Sequence, residues 1–357
     1  MLWKENWNEA REHHLRWWGH DGLVVVPSVP LHVARVSPSR DTEGVDPGPP
    51  PSAEAWHADP GYVAARNHHW LANNVLALDM LPIGSIDLGP GSIALYLGSE
   101  PGFSRETVWF YPLTDTTVLD RPLCFDPNNV WWQRQLALID AALEKSAGRY
   151  PVGLPDLIEN LDILAAMRDT QTVMLDLLER PDWVKTKIAE INRIYYEVYD
   201  ALHARLALPD GSCCFGAFHL WGPGRTAKVQ CDALAMISPA MFEEFVQPAL
   251  TEQCEWLDHA MFHLDGTQAI RHLPALLTIP GLDAIEYTPQ AGLEEGGHER
   301  WWPLYRDILA AGKSVQIVGV KPHEVGPLLD TIGEQGVYLH VNGIDDADTL
   351  QSLEREV

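Results

Sequence analysis

The chain has 357 residues, which is long enough for one large barrel or for two domains of ordinary size. Its 25 Lys and Arg residues against 50 Asp and Glu residues give a formal charge of −25, which repels nucleic-acid phosphates and anionic membrane surfaces. No apolar stretch approaches the roughly 20 residues of a membrane span, and residues 1–22 do not form a signal-type segment. We therefore expect a cytoplasmic protein that binds neither nucleic acid nor membranes.

Tryptophan is concentrated at the start of this chain, which has 14 in total. Residues 3–18 predict a helix that packs its Trp stripe on the body of the protein, with a carbohydrate-stacking surface as the alternative. Leu23–Pro27 predicts a buried strand, and the Pro-rich residues 37–60 predict an exposed or lid-like loop. We expect residues 1–60 to belong to the same domain as residues 61–357.

The middle of the chain is mostly helical in pattern. Residues 88–92 are rich in glycine but lack the GxxxxGK[ST] phosphate-loop pattern, so they predict a turn. The helical spacing of apolar residues predicts helices over residues 132–143, 155–167, 173–178 and 181–206. Residues 215–221 predict a strand, and Ser238 followed by Pro239 predicts the start of a helix.

The last hundred residues alternate between apolar strands and amphipathic helices. The predicted strands cover residues 260–264, 282–287, 314–318 and 337–341, with a predicted helix after each of them. Repeated strand–helix units with short connections predict parallel strands. The fold class is therefore α/β, and the simplest architecture is a (β/α)8 TIM barrel whose first half includes strands near Val24, residues 93–97 and Phe215. A doubly wound sheet is the alternative.

Reactive side chains follow several of these predicted strands, where the chemistry of a barrel gathers. His263 and Asp265 lie two residues apart, so a strand would place both on one face. With Glu286 they offer one imidazole and two carboxylates, a set that could hold a divalent metal or do acid–base chemistry without one. The thiol of Cys231 is a fourth candidate ligand, and the five cysteines lack the spacing of a disulfide framework.

Four segments resemble the uroporphyrinogen decarboxylase superfamily of (β/α)8 barrels. They are residues 175–184 (LDLLERPDWV), residues 237–248 (ISPAMFEEFVQP), residues 263–266 (HLDG) and residues 341–344 (VNGI). The resemblance covers most of the chain from about Tyr62. It implies a barrel, a homodimer, and either decarboxylation or zinc-dependent methyl transfer with a corrinoid methyl carrier.

Two departures from that superfamily bear on the chemistry. Its methyltransferases have His-x-Cys-Gly where this chain has Asp265 in place of the cysteine, and a second Cys-Gly where this chain has Asn342-Gly343. Both zinc thiolates are missing, which makes the donor set harder and weakens the preference for zinc. The arginine-containing motif that holds the many carboxylates of a porphyrinogen is also missing, and a mouth with Asp79, Asp265 and Glu286 suits a polyanion poorly.

The sequence therefore predicts a methyltransferase of this superfamily that acts on a small metabolite. We expect catalytic roles for His263, Asp265 and Asn342, and a divalent metal, with zinc as one candidate, bound by His263, Asp265, Glu286 and Cys231. The expected substrate-binding residues are Asp79, Trp221, Arg225, Tyr287 and His340. The alternatives are a lyase that decarboxylates a small acid with Asp79 or Asp265 and Arg225, a glycosidase-like use of Asp265 and Glu286, and a non-catalytic binding protein.

Overall fold

The computed structural model describes residues 3–30, 33 and 44–357 of the chain. Part of the Pro-rich loop predicted at residues 37–60 lies outside the described residues. Within the described part, the strands have the following bounds: β1 Leu23–Pro27, β2 Val29–Pro30, β3 Asn74–Val75, β4 Glu100–Phe103, β5 Val108–Tyr111, β6 Cys213–Phe215, β7 Leu220–Gly222, β8 Thr226–Gln230, β9 His259–Asp265, β10 Ala284–Thr288, β11 Ser314–Val320 and β12 Val337–Val341.

The helices surround a central sheet and alternate with its strands in the last third of the chain. Their bounds are α1 Trp7–Trp18, α2 Ala53–Ala58, α3 Pro60–Ala72, α4 Ile93–Tyr96, α5 Val130–Ser146, α6 Asn160–Arg168, α7 Thr170–Glu179, α8 Pro181–Leu206, α9 Pro239–Met241, α10 Gln247–Trp256, α11 Leu273–Leu277, α12 Trp302–Ala310, α13 Val325–Ile332 and α14 Ala347–Glu356. Among the described residues, none of these helices is both long and apolar enough to cross a membrane.

The central sheet has six strands in the order β1-β12-β11-β10-β9-β8. Every neighbouring pair is parallel, as expected for strands that alternate with helices. The predicted α/β class and the four C-terminal strands are confirmed. Two isolated parallel bridges, Gly84 with Val152 and Leu154 with Phe215, lie outside this sheet. Backbone ladders between the described residues do not close the sheet into a complete barrel.

Several predicted elements in the first two thirds of the chain are wrong. Residues 93–97 were expected as a strand but form helix α4, because a run of buried apolar residues does not distinguish a buried strand from a buried helix. The strand expected at residues 215–221 is a β6–β7 hairpin with a tight turn between the strands. Helix α6 begins at Asn160, five residues after the predicted start at Pro155. Strand β8, which carries part of the site, was not predicted at all.

The first helix closes the amino-terminal end of the sheet with its tryptophans. Trp17 is fully buried, donates a hydrogen bond to the carbonyl of Val315 at 3.3 Å and lies 5.2 Å from the Tyr338 ring. Trp18 stacks on His259, the first residue of β9. These contacts confirm the predicted packing of the Trp stripe. The main hydrophobic cluster runs from Trp3 to Leu353, so the N-terminal helix shares the core of the sheet.

A strained turn at residues 217–219 lies over the inner face of the sheet. Phe218 has φ 60° and His219 has φ 52°, a left-handed conformation that costs bulky residues energy. Side chains of β11 and β12 hold the turn: Gln316 Nε2 donates to the Phe218 carbonyl at 3.0 Å, and the Tyr338 hydroxyl donates to the His219 carbonyl at 3.0 Å. The Phe218 ring lies 5.0 Å from the ring of His263, so this turn is in contact with the candidate site.

We predict that Trp17→Ala lowers the free energy of unfolding by about 3–5 kcal/mol, because the substitution leaves a large cavity between α1 and the sheet. Chemical denaturation followed by circular dichroism measures this change. The matched control is Leu15→Ala on the same helix, where the side chain is 48% exposed and we expect a change within about 0.5 kcal/mol. Equal losses in the two variants would contradict the assigned role of α1.

Candidate functional site

A row of polar side chains crosses the inner face of the sheet. Gln230, His263, Glu286, Gln316 and Tyr338 are register partners on five consecutive strands, so all five point to the same side. Parallel strands covered on both faces are usually apolar throughout, as the outward-facing residues of these strands are. Polar side chains buried inside such a sheet need hydrogen-bond partners within the protein. Their presence on one face makes the inner face of the sheet the candidate functional face.

His263 and Glu286 form the central pair of this row. His263 Nδ1 donates a short hydrogen bond to Glu286 Oε2, and the Thr288 hydroxyl donates to Glu286 Oε1 at 2.7 Å. Burial lowers the pKa of His263, but the charge of Glu286 and this hydrogen bond more than offset that effect, so the pKa is raised overall. With Nδ1 committed to Glu286, Nε2 is the ring nitrogen left for a ligand or a substrate.

Two aspartates join His263 at the carboxyl ends of β8 and β9. Potential ligand atoms of Asp232, His263 and Asp265 all lie within 4.8 Å of one another. Asp265 ends β9 and shares a face with His263, while Asp232 follows β8 and shares a face with Gln230. Both aspartates are exposed, and His263 is partly buried. His263 therefore has two exposed aspartates near it and the buried Glu286 as its hydrogen-bond partner.

The buried ammonium group of Lys228 links the sheet to the segment before α6. Lys228 Nζ contacts Asp156 Oδ2 at 2.7 Å and donates a short hydrogen bond to the Gln230 side chain. Gln230 in turn donates to Asp232 Oδ2 at 3.0 Å. Asp156 and Lys228 are both buried. One chain of contacts therefore runs from the protein interior to an aspartate of the exposed trio.

Side chains take the place of a ladder partner along the outer edge of β8. The backbone N–H of Gln230 donates to Glu159 Oε1 at 2.7 Å, and Asn160 Nδ2 donates to the Gln230 carbonyl at 3.3 Å. Asp162 does the same for the turn after β8, accepting from the N–H groups of Asp232 at 2.6 Å and Ala233 at 2.9 Å. These contacts satisfy backbone groups that would otherwise be buried without partners.

The carboxyl groups beside Lys228 hold their protons unusually tightly. Burial raises the pKa of Glu159 to about 8, although the Gln230 N–H and Lys228 oppose the shift. Burial, reinforced by the charge of Asp232, raises the pKa of Asp162 to about 7. Burial also raises the pKa of Asp232. Burial is the largest cause for all three groups, and the charge of Lys228 opposes the shift in each of them.

A cleft of about 570 Å³ opens beside Asp232. Its walls come from the loop at residues 90–91, strand β5, helix α6 and the turn at residues 232–236. Gly89 and Gly91 lie in the predicted turn at residues 88–92, and both have positive φ. A Cβ at Gly89 would lie 2.6 Å from the Cβ of Val108, so glycine is required for β5 to pack this closely.

Three of the expected substrate-binding residues lie away from this site. Trp221 is buried against α1, where its carbonyl accepts from Trp18 Nε1 at 2.8 Å. Arg225 precedes β8 at the opposite end of the strand, contacting Asp200 at 3.1 Å and the Trp256 ring at 4.4 Å. Asp79 accepts hydrogen bonds from His13 of α1 at 2.8 Å and from the Val25 N–H at 2.9 Å. These three residues make contacts with other parts of the fold and do not line one common cleft.

The other four expected site residues lie on or directly after strands β8, β10 and β12. Tyr287 faces outward and packs on Trp301, with ring centroids 5.0 Å apart. Cys231 also faces away from the row, and burial raises the pKa of its thiol well above the ordinary value, which disfavours a thiolate ligand. His340 donates to the Phe218 carbonyl at 3.1 Å, and burial lowers its pKa to about 3, so it supports the turn as a neutral ring. Asn342 is exposed just after β12.

The sequence predicted His263 and Asp265 as site residues, but it did not predict Asp232 or the buried polar residues next to it. The signal was present in strand β8, where Lys228, Gln230 and Asp232 alternate with the apolar Ala227, Val229 and Cys231. Period-two alternation of this kind places every polar group on one face. Glu159 and Asp162 carried no such signal, because they approach the site from a segment distant in sequence.

No protein-family model matches this chain, and no curated protein is similar enough to it to indicate a relative. The assignment of a function therefore depends on the chemistry of the site itself.

We predict that Lys228→Met lowers the free energy of unfolding by about 3–5 kcal/mol, because it leaves Asp156 and its neighbours without a counter-charge. Urea denaturation at neutral pH measures the loss. The control is Lys185→Met, which removes an exposed ion pair with Glu244 and should cost no more than about 1 kcal/mol. If both substitutions cost the same, Lys228 does not organise this region.

The stability of the protein should also depend on the ionisation of Glu159. This carboxyl stays protonated in the folded protein up to about pH 8 but has an ordinary pKa of 4.5. Between these values the folded state binds more protons than the unfolded state, so Glu159 stabilises the fold below pH 4.5 and this contribution is lost as pH rises to about 8.

We predict that Glu159→Gln removes this pH dependence. The free energy of unfolding of the parent protein should fall relative to that of the variant as pH rises through this window, by on the order of a few kcal/mol. Denaturant titrations at several pH values, with a chelator present throughout, measure the difference. Stability curves that run parallel for the two proteins would contradict the assigned protonation state.

Proposed function

We propose that this protein is a metal-dependent methyltransferase of the uroporphyrinogen decarboxylase type, acting on a small metabolite. The observation that carries the proposal is the trio Asp232, His263 and Asp265 at the carboxyl ends of two adjacent parallel strands, with Glu286 behind the histidine. The resemblance of four segments to that superfamily supports the choice of methyl transfer, although residues 263–266 and 341–344 lack the two cysteines of its methyltransferases. We also propose that the sheet continues through the bridges at Gly84, Val152 and Leu154 as a (β/α)8 barrel.

The donor set fits a divalent cation that accepts oxygen and nitrogen ligands. Ligands about 2.0–2.2 Å from one ion lie roughly 3–4 Å apart, so small side-chain rotations would bring these three within range. A histidine that donates its other ring N–H to a carboxylate is the usual arrangement around a bound metal, and the Glu286 contact matches it. One imidazole with two carboxylates suits manganese or iron as well as zinc.

The surrounding residues have separate tasks in this proposal. Glu286 fixes the tautomer and orientation of His263, and Gln230 positions Asp232 through its hydrogen bond at 3.0 Å. The Phe218 ring packs beside the His263 ring. A bound divalent ion would supply Lewis acidity. Glu286 and Cys231, both expected as ligands, take no part as ligands here.

The lyase remains the second candidate, and it would draw on Asp162, which lines the cleft and whose pKa burial raises to about 7, a value that suits proton transfer. Arg225 and Asp79, on which the expected lyase depended, lie away from this cleft. The glycosidase alternative loses support because both oxygens of Glu286 are engaged by His263 and Thr288. A corrinoid carrier and a homodimer remain expectations from the resemblance, and a cytoplasmic location remains an expectation from the sequence pattern.

We predict that the purified protein binds one equivalent of Mn²⁺, Fe²⁺ or Zn²⁺. Asp232→Asn, His263→Gln and Asp265→Asn should each weaken binding by at least about tenfold, and Glu286→Gln by about 10- to 100-fold, because it frees the histidine to rotate. Isothermal titration and elemental analysis measure binding. Glu255→Gln, at an exposed position on α10, is the control and should bind normally.

Activity separates the two enzymatic candidates. With methylcobalamin as a surrogate donor and a thiol acceptor, loss of the methyl–cobalt absorption should require the metal and should fail in the trio variants. Full activity toward small carboxylic acids in the presence of a chelator would instead support the lyase. A protein that binds none of these ions would contradict the proposed metal centre.

A further inference from the structure

The tip of the β6–β7 hairpin is held in place from two sides. At its start, Gly216 passes so close to Gly153 that a Cβ on Gly153 would lie 2.6 Å from the Gly216 nitrogen. Further along, the Phe218 carbonyl accepts hydrogen bonds from Gln316 Nε2 at 3.0 Å and from His340 Nε2 at 3.1 Å. These contacts are made by the backbone of the turn, so its position does not depend on the side chain of Phe218.

Phe218 has a backbone conformation that favours glycine. Its φ of 60° and ψ of 8° lie in the left-handed region, where a residue with a Cβ is strained and glycine is not. His219, with φ 52°, repeats the strain at the next position. Strained residues persist where the surrounding structure over-determines them, and they cluster at functional sites. Because glycine would form this turn more easily, the phenyl ring is the feature of Phe218 that needs an explanation.

The ring of Phe218 lies against the imidazole of His263, with the ring centroids 5.0 Å apart and the ring planes at 42°. The hydrogen bond from His263 Nδ1 to Glu286 fixes one atom of the imidazole. The imidazole can still turn about that bond, and the last side-chain torsion of histidine has broad minima. A second ring in contact restricts this rotation, since tilted aromatic pairs at this separation attract each other in defined geometries.

We propose that Phe218 is a positioning residue for His263. The strained turn holds the phenyl ring against the imidazole, so that Nε2 points in one direction, toward a ligand shared with Asp232 and Asp265. Glu286 sets which ring nitrogen is free, and Phe218 sets the plane of the ring. This inference rests on the proposed function, and it adds a residue from a hairpin that supplies no ligand atom to the trio.

Two glycine variants of the turn separate the role of the ring from that of the backbone. Phe218→Gly removes both the strain and the phenyl ring, whereas His219→Gly relieves the strain at the next position and leaves Phe218 in place. The ring of His219 lies 5.8 Å from that of His340, which makes His219→Gly the matched control. Phe218→Tyr keeps a ring at the position and tests for rescue. If Phe218→Gly shows no cooperative thermal unfolding by circular dichroism, Phe218→Leu takes its place, since it keeps apolar volume without a ring.

The first measurement uses the metal-free full chain. The ring C–H signals of His263, assigned with His263→Gln, are recorded by NMR at one fixed pH in histidine-labelled parent and variants. We expect Phe218→Gly to shift and broaden these signals, because the ring current of Phe218 is lost and the imidazole samples more orientations. In His219→Gly and Phe218→Tyr the signals should stay sharp, as in the parent.

The second measurement is the affinity for Mn²⁺ alone, by isothermal titration. We expect Phe218→Gly to weaken binding by about three- to tenfold, which is the size of effect that the loss of one aromatic pair produces. Phe218→Tyr and His219→Gly should both bind Mn²⁺ within about twofold of the parent, because the ring beside His263 remains in each of them.

The positioning role and the proposed function can fail separately. Unchanged His263 signals in Phe218→Gly, or equal changes in Phe218→Gly and His219→Gly, would overturn the positioning role even if the parent binds Mn²⁺. So would an Mn²⁺ affinity that Phe218→Gly leaves unchanged. A parent protein that binds none of Mn²⁺, Fe²⁺ and Zn²⁺ would contradict the metal centre, and the His263 signals of the metal-free variants would then decide the role of Phe218 by themselves.

Discussion

The buried ammonium group of Lys228 is the contact on which the rest of the site depends. It joins strand β8 to Asp156 in the segment before α6, at the edge where the sheet has no ladder partner. Glu159 and Asn160 then satisfy the backbone of Gln230, and Asp162 satisfies the turn that carries Asp232. Without a cation at this point, several buried carboxyl groups would face one another, and burying uncompensated charge is strongly unfavourable.

The polar row on the inner face explains how the sheet can be reactive and well packed at once. The row consists of three separate sets of contacts: Gln230 with Lys228 and Asp232, His263 with Glu286, and Gln316 and Tyr338 with the turn at residues 217–219. Hydrogen bonds of this kind fix side-chain orientations in a low-dielectric interior. Of the two exposed aspartates, Asp232 is oriented in this way, through Gln230.

The sequence predicted the repeated strand–helix units of the C-terminal third, and it missed the less regular elements that precede them. The four C-terminal strands and the position of His263 and Asp265 follow from alternation of strand and helix patterns. Strand β8 is short, and the hairpin before it obscures its pattern. Trp221 was expected at the carboxyl end of one strand over residues 215–221, but those residues form a hairpin, so Trp221 lies on its second strand. Arg225 precedes β8 and therefore lies at the amino end of that strand. Side chains such as Glu159 act across long sequence distances, which local patterns do not encode.

The alternating direction of neighbouring side chains decides which of two adjacent residues reaches the site. Cys231 and Asp232 are adjacent, yet Cys231 packs in the core while Asp232 joins His263, since side chains that follow a strand alternate in direction. The result replaces a soft thiolate with a hard carboxylate and adds negative charge to a mouth that already holds Asp265. Burial raises the pKa of Asp232, and the charge of Asp265 adds to this effect while His263 and Lys228 oppose it. A divalent ion held by Asp232, His263 and Asp265 would place its positive charge between the two carboxylates, which is the physical reason for proposing a metal centre at this aspartate.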